Sequence, residues 1–137
     1  MAELRRVARS LVATVFEPGW DHPAKEAIEG VAMSHGFEPP AWYVDFKFSS
    51  AFELGAPELQ ECARAAGYGS ADADVVEVDT GLSTPADLVD WRLGMAHTAP
   101  YLAGLTAEER ALVRRDAEAA VAGMPPLVVA MIVLNAR

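Results

Sequence analysis

Leu127-Val128-Val129-Ala130-Met131-Ile132-Val133-Leu134 runs a full strand length without a polar side chain. A strand with one wet face alternates apolar and polar residues, whereas an unbroken apolar run suits a strand covered on both faces. This stretch is therefore expected to be the central strand of a sheet. Leu11-Val12-Ala13-Thr14-Val15-Phe16 is a second continuous, β-branched run and is also expected to be covered on both faces. Val75-Val76-Glu77-Val78-Asp79-Thr80 reads as a third strand.

Helical signals fill the intervals. Glu3 to Arg9 reads as a short helix with a basic side of Arg5, Arg6 and Arg9. Asp21 is placed to cap a helix that has Pro23 in its first turn, continues from Lys25 to Met33 or His35, and ends at Gly36. Pro57 to Ala66 puts Leu59, Cys62, Ala63 and Ala66 on one face, with Gly67 as its stop. Thr84-Pro85-Ala86-Asp87 starts a helix that runs to Ala96 or His97. Thr106-Ala107-Glu108-Glu109 is a capping box for a helix to Val121, which Gly123-Met124-Pro125-Pro126 stops. Pro39 to Ser50 gathers Trp42, Tyr43, Phe46 and Phe48, and reads as an irregular, partly extended aromatic segment. Strands and helices in this order make an α/β layer structure in one domain, residues 1–137.

Composition narrows the partners. Hydrophobic residues at 52% and charged residues at 23% exclude a disordered chain. A single cysteine excludes a disulfide framework and a cysteine-built zinc cage. Eleven basic against twenty acidic residues give a net charge of −9, which repels phosphate backbones and anionic lipid. No nucleic-acid or membrane partner is expected. The apolar runs are too short to span a bilayer and no signal-peptide pattern is found, so the expected location is cytoplasmic.

The passage Arg5-Arg6-Val7-Ala8-Arg9 with Leu11 to Phe16 resembles the approach to the fifth strand of class I S-adenosylmethionine-dependent methyltransferases. Phe52-Glu53-Leu54-Gly55-Ala56-Pro57-Glu58-Leu59, ending at Ala66-Gly67-Tyr68, resembles their next strand-and-helix passage. Thr84 to Gly94 and Leu105 to Arg110 resemble late lid-like helices of the small-molecule branch, and Leu127 to Leu134 resembles the antiparallel last strand. The resemblance implies a truncated, Rossmann-like half-domain. Its sheet would be three-stranded and mixed, with the antiparallel last strand in the centre and helices on both faces. The family's cofactor half is not matched: no strand is followed by the glycine-rich loop that lets a backbone approach the ligand closely. Gly67-Tyr68-Gly69 follows a helix instead, and the proline-glycine-glycine turn before the fifth strand is missing. No cofactor, no cofactor-binding residue and no metal ligand is therefore expected. With no fourth strand to pair with, Leu11 to Phe16 would be an open edge, and self-pairing into a homodimer would cover it.

Candidate chemistry falls on a few residues. Asp21 and His22 are adjacent and follow a strand-ending loop, where open α/β sheets place ligands. Tyr43 and His97 complete the expected catalytic set, as groups able to polarise a carbonyl or carry a proton. Trp20, Met33, Trp42, Phe46, Phe48, Trp91, Met95 and Tyr101 are expected to line an apolar substrate pocket. No two histidines have metal-ligand spacing on one helix. Cys62 reads as a buried, inert thiol. The expected function is a cofactor-independent cyclase or isomerase, pericyclic ring closure included, acting on a hydrophobic polyketide-type intermediate. Two alternatives stand beside it: a non-catalytic partner of a full-length methyltransferase, and a small-molecule binder without turnover.

Overall fold

In the computed structural model the described residues form, in order, α1 (Ala2–Val7), β1 (Leu11–Phe16), α2 (Pro23–Ser34), α3 (Ala41–Lys47), α4 (Ala56–Ala65), β2 (Ala71–Asp79), α5 (Pro85–Leu93), α6 (Ala99–Gly104), α7 (Ala107–Ala120) and β3 (Val128–Ala136). The structure describes residues 1–47, 49 and 54–137. They form two units. Met1–Trp20, Ser50–Val78 and Val128–Arg137 make a sheet unit, and Asp21–Ser49 with Asp79–Leu127 make a helical unit.

In the sheet unit the strand order is β1-β3-β2, so the most apolar strand is the central one, as its composition requires. β1 pairs antiparallel with β3, from Leu11 opposite Ala136 to Phe16 opposite Met131. At the start of β2, Ser70 and Arg137 exchange both backbone hydrogen bonds at 2.9 Å, the signature of an antiparallel pair. The sheet is open and antiparallel rather than mixed. β1 and β2 run the same way, but the reversed strand lies between them and leaves no parallel neighbours.

One face of this sheet is the unit's core. Leu11, Ala13 and Val15 of β1, Ile132, Leu134 and Ala136 of β3, and Ala71 and Ala73 of β2 pack with Ala56, Leu59, Ala63 and Ala66 of α4 and with Tyr68. Gly67 ends α4 at φ +95°, a left-handed position that a side chain would strain. Arg5 of α1 donates from Nε to the Gly67 carbonyl at 3.1 Å and lies over the Tyr68 ring. The expectation that β1 is covered on both faces fails. Its burial alternates, and Val12 and Phe16 are 68% and 53% exposed on the second face. A continuous apolar run permits two-sided cover without compelling it. Cys62 also departs from expectation: it is exposed, because it sits at the edge of the α4 stripe centred on Leu59, Ala63 and Ala66.

In the helical unit α2 packs on α5 and α7, and α5 packs on α7. Ala24, Ile28 and Ala32 form a stripe at four-residue spacing along α2, facing Leu88, Val89 and Leu93 of α5 and Val113 and Ala117 of α7. The expected capping box of Thr106 with Glu109 forms, and the expected Thr84 cap proves to be a second box, with Asp87. Three local readings are corrected. The α2 cap is His22 rather than Asp21, its Nδ1 accepting from the Ala24 N–H at 3.3 Å. Residues 41–47 of the aromatic segment are helical, not irregular or extended, since Pro40 can precede a first turn as well as break one. α5 stops at Leu93, because Gly94 caps it three residues before His97. The six-residue α6, which the sequence analysis does not anticipate, follows the turn that carries His97; Thr98 stands at its N-cap without a side-chain cap hydrogen bond, and Pro100 lies in its first turn.

Candidate functional site

Arg92 is the most constrained polar group of the helical unit. It lies on the buried side of α5, beside Leu88, Val89 and Leu93, and is 3% exposed. A charge in such a place needs a partner, because desolvating it alone costs several kcal/mol. Glu29 of α2 supplies one through an ion pair with the guanidinium Nη2. The same Nη2 donates to the Tyr43 hydroxyl of α3 at 3.1 Å, and Nη1 reaches the Met95 sulfur at 3.6 Å. Arg92 Nε is buried without a partner among the described residues.

Tyr43 carries the cluster to His97. The two rings stack face to face, with centroids 3.8 Å apart and planes 1° apart. His97 is 5% exposed, and its Nε2 has no hydrogen-bond partner among the described residues. The turn that presents it is fixed by Thr98, whose buried hydroxyl lies 3.0–3.1 Å from the carbonyls of Arg92, Leu93 and Met95. Phe37 packs against both His97 and Tyr101. Tyr101 donates to the His35 carbonyl at 2.8 Å, and burial, with Glu109 nearby, raises its phenol above the ordinary value. His35 in turn donates from Nε2 to Asp116 at 3.0 Å.

Burial lowers the His97 pKa below the ordinary histidine value. The Arg92 guanidinium and, more weakly, Lys47 reinforce the shift, and Glu29 opposes it. The imidazole is thus held neutral near pH 7. The consequence for stability has a definite sign. On acidification the unfolded chain takes up the His97 proton before the folded chain does. Stability therefore rises with pH through this window and falls as pH drops below about 6.5. Urea midpoints should decline between about pH 7 and pH 5, and His97→Gln should flatten that limb. An equal slope in both proteins would refute the burial of a neutral imidazole.

The other expected site residues are placed as follows. Asp21 is exposed and pairs with Lys25 at 2.7 Å. That hydrogen bond, helped by one from the His22 backbone N–H, holds its carboxyl below the usual carboxylate range, so Asp21 meets Lys25 and the His22 main chain. His22 is buried, with Nε2 unpartnered among the described residues and its ring edge-on to Trp91 at 6.4 Å. Trp20 belongs to the sheet unit, stacked on Phe16 and donating to the Val128 carbonyl at 3.1 Å. Met33, Trp42 and Phe46 are exposed, with Trp42 edge-on to Tyr43 at 5.9 Å. Met95 touches Arg92. Phe48 lies outside the described residues. A groove of about 480 Å³ runs over α5, α6 and α7, lined by Leu93, Leu102, Ala111, Arg110 and Arg114 among others, and none of the expected pocket residues lines it. Among the described residues no cluster of three or more histidine, cysteine or acidic side chains is arranged to hold a metal. No described helix is long and apolar enough to cross a membrane.

The structure thus joins Tyr43 to His97 and His22 to Trp91, and it adds Glu29, Arg92 and Phe37, which the sequence reading left out. One signal for Arg92 was present: it falls in register with Leu88 and Val89 on the apolar stripe of its helix, where an arginine demands a buried acid. No protein-family model matches the chain, and no curated protein matches it. The methyltransferase resemblance rests on the residues quoted above.

Proposed function

We propose that the protein is a cofactor-independent isomerase or cyclase acting on a hydrophobic, polyketide-type intermediate, built on a methyltransferase-like half-domain. The observation that carries this reading is the buried stack of Tyr43 on His97, with Arg92 bonded to the phenol. A neutral imidazole with a free, desolvated Nε2 suits a general base that takes a proton from carbon next to a carbonyl. Tyr43 accepts from Arg92, which leaves its own O–H to donate to the carbonyl oxygen. The guanidinium then stabilises the negative charge that collects there as the proton leaves. Glu29 anchors Arg92 and so acts as a positioning residue. Trp42 and Phe46, exposed on the same short helix as Tyr43, offer an apolar approach for a flat ligand.

The test uses an enolisable hydrophobic ketone, 2-tetralone, in deuterium oxide, with α-deuteration followed by NMR. The wild-type chain is expected to exceed the buffer rate, and its rate should rise with pH through an apparent pKa below that of free imidazole. His97→Gln should remove about 10²–10⁴-fold of the excess. A rate equal to buffer, or one that His97→Gln leaves intact, would overturn the reading.

A further inference from the structure

Among the described residues the sheet has two free edges, β1 and β2, and they are built differently. On β2, Arg64 donates to the Ala71 carbonyl at 2.9 Å and Gln60 to the Ala73 carbonyl at 3.3 Å, so α4 side chains already occupy groups on that edge. The strand also carries Asp72, Asp74, Glu77 and Asp79. Charged side chains and covered carbonyls are the usual means of keeping an edge from pairing.

Among the described residues none of these protections falls on β1, and Ser10 to Phe16 contains no charge. Its outward backbone groups follow from the ladder. Glu17 donates to the carbonyl of Ala130, continuing the register in which Phe16 faces Met131. Directly opposed residues alternate between hydrogen-bonded and non-bonded pairs. Leu11, Ala13 and Val15 therefore bond to β3, and the N–H and C=O groups of Val12, Thr14 and Phe16 point to the open side.

We infer that this edge pairs with β1 of a second copy, antiparallel, about a two-fold axis at Ala13, to give a continuous six-stranded sheet. Self-complementarity selects the register. With Ala13 facing Ala13 of the second copy, Val12 and Thr14 of opposite copies exchange their outward bonds, and Ser10 meets Phe16. Leu11 falls opposite Val15 on the α4-covered face, which extends the core across the axis. Arg9 falls opposite Glu17 twice, and neither side chain has an ion-pair partner among the described residues of its own chain. Sliding the axis to Thr14 sets Pro18, which has no N–H, opposite Ser10 and breaks both charge pairs. This inference uses the sheet unit alone and is independent of the acid-base reading of the helical unit.

Light scattering on the full chain at about 50 µM tests it, with folding checked by circular dichroism and melting. The expected mass is about 29 kDa, twice 14.6 kDa. Thr14→Pro removes an outward N–H without touching the β1–β3 ladder, as an edge strand tolerates, and should give a folded monomer. Val75→Pro on the β2 edge should remain a dimer. Glu17→Arg should weaken association about tenfold, and the exchange Arg9→Glu with Glu17→Arg should restore it. A monomeric wild type, a dimer that Val75→Pro but not Thr14→Pro dissolves, or a dimer indifferent to the charge changes would each overturn the proposed pairing.

Discussion

Replacing Glu29 by alanine is expected to lower folding stability by about 3–5 kcal/mol. The loss comes from Arg92 more than from Glu29. Arg92 is buried among Leu88, Val89 and Leu93, and without the carboxylate its charge keeps, among the described residues, the Tyr43 hydroxyl and the Met95 sulfur as partners. A net-neutral pair in a low-dielectric interior becomes an uncompensated cation, and the desolvation already incurred is no longer offset. Replacing both members by apolar residues, Glu29→Leu with Arg92→Met, should recover most of the loss, because two well-packed hydrocarbon chains need no partner. Urea unfolding separates these cases, with the midpoint moving and the slope constant if the fold is retained. Similar losses in the single and double variants would mean that the pair holds the helices by its shape rather than by its charge. The double variant has a second use: it should fold while losing ketone exchange, which separates the positioning of Tyr43 from the integrity of the unit.

Ile132→Ala should cost about 2–5 kcal/mol, through the lost transfer energy and the cavity left behind. Ile132 lies on the central strand, 1% exposed, facing α4. Val12→Ala, on the opposite face of the neighbouring strand, should fall within about 0.5 kcal/mol of wild type when measured on the monomeric Thr14→Pro background. The contrast tests the one-sided cover of β1. Comparable losses at the two positions would show that the second face is packed in solution.

These two faces also mark how far the sequence could be read. The uninterrupted apolar run of β3 located the central strand, although the expected cover on both sides is incomplete: Met131 and Val133, on the face away from α4, are only half-buried. The same pattern in Leu11 to Phe16 misled, since a strand that is apolar throughout can still leave every second side chain in solvent. The capping boxes at Thr84 and Thr106 were legible because each signal is complete within four residues. α3 and α6 were not, because six- and seven-residue helices are set by tertiary packing more than by propensity. At the candidate site, Tyr43 and His97 were legible as chemical types, but their stacking depends on the Gly94 stop, which puts His97 in a turn. Glu29 was one acid among twenty; only the place of Arg92 on its helix gives it meaning.

The unequal treatment of the two sheet margins limits what association can build. A strand layer that accepted neighbours on both flanks would add copies without end and grow into a fibril. Here one flank is sealed by the chain's own arginine and glutamine. If the other flanks join as proposed, the less protected margin of the described sheet is used up and the assembly terminates at two.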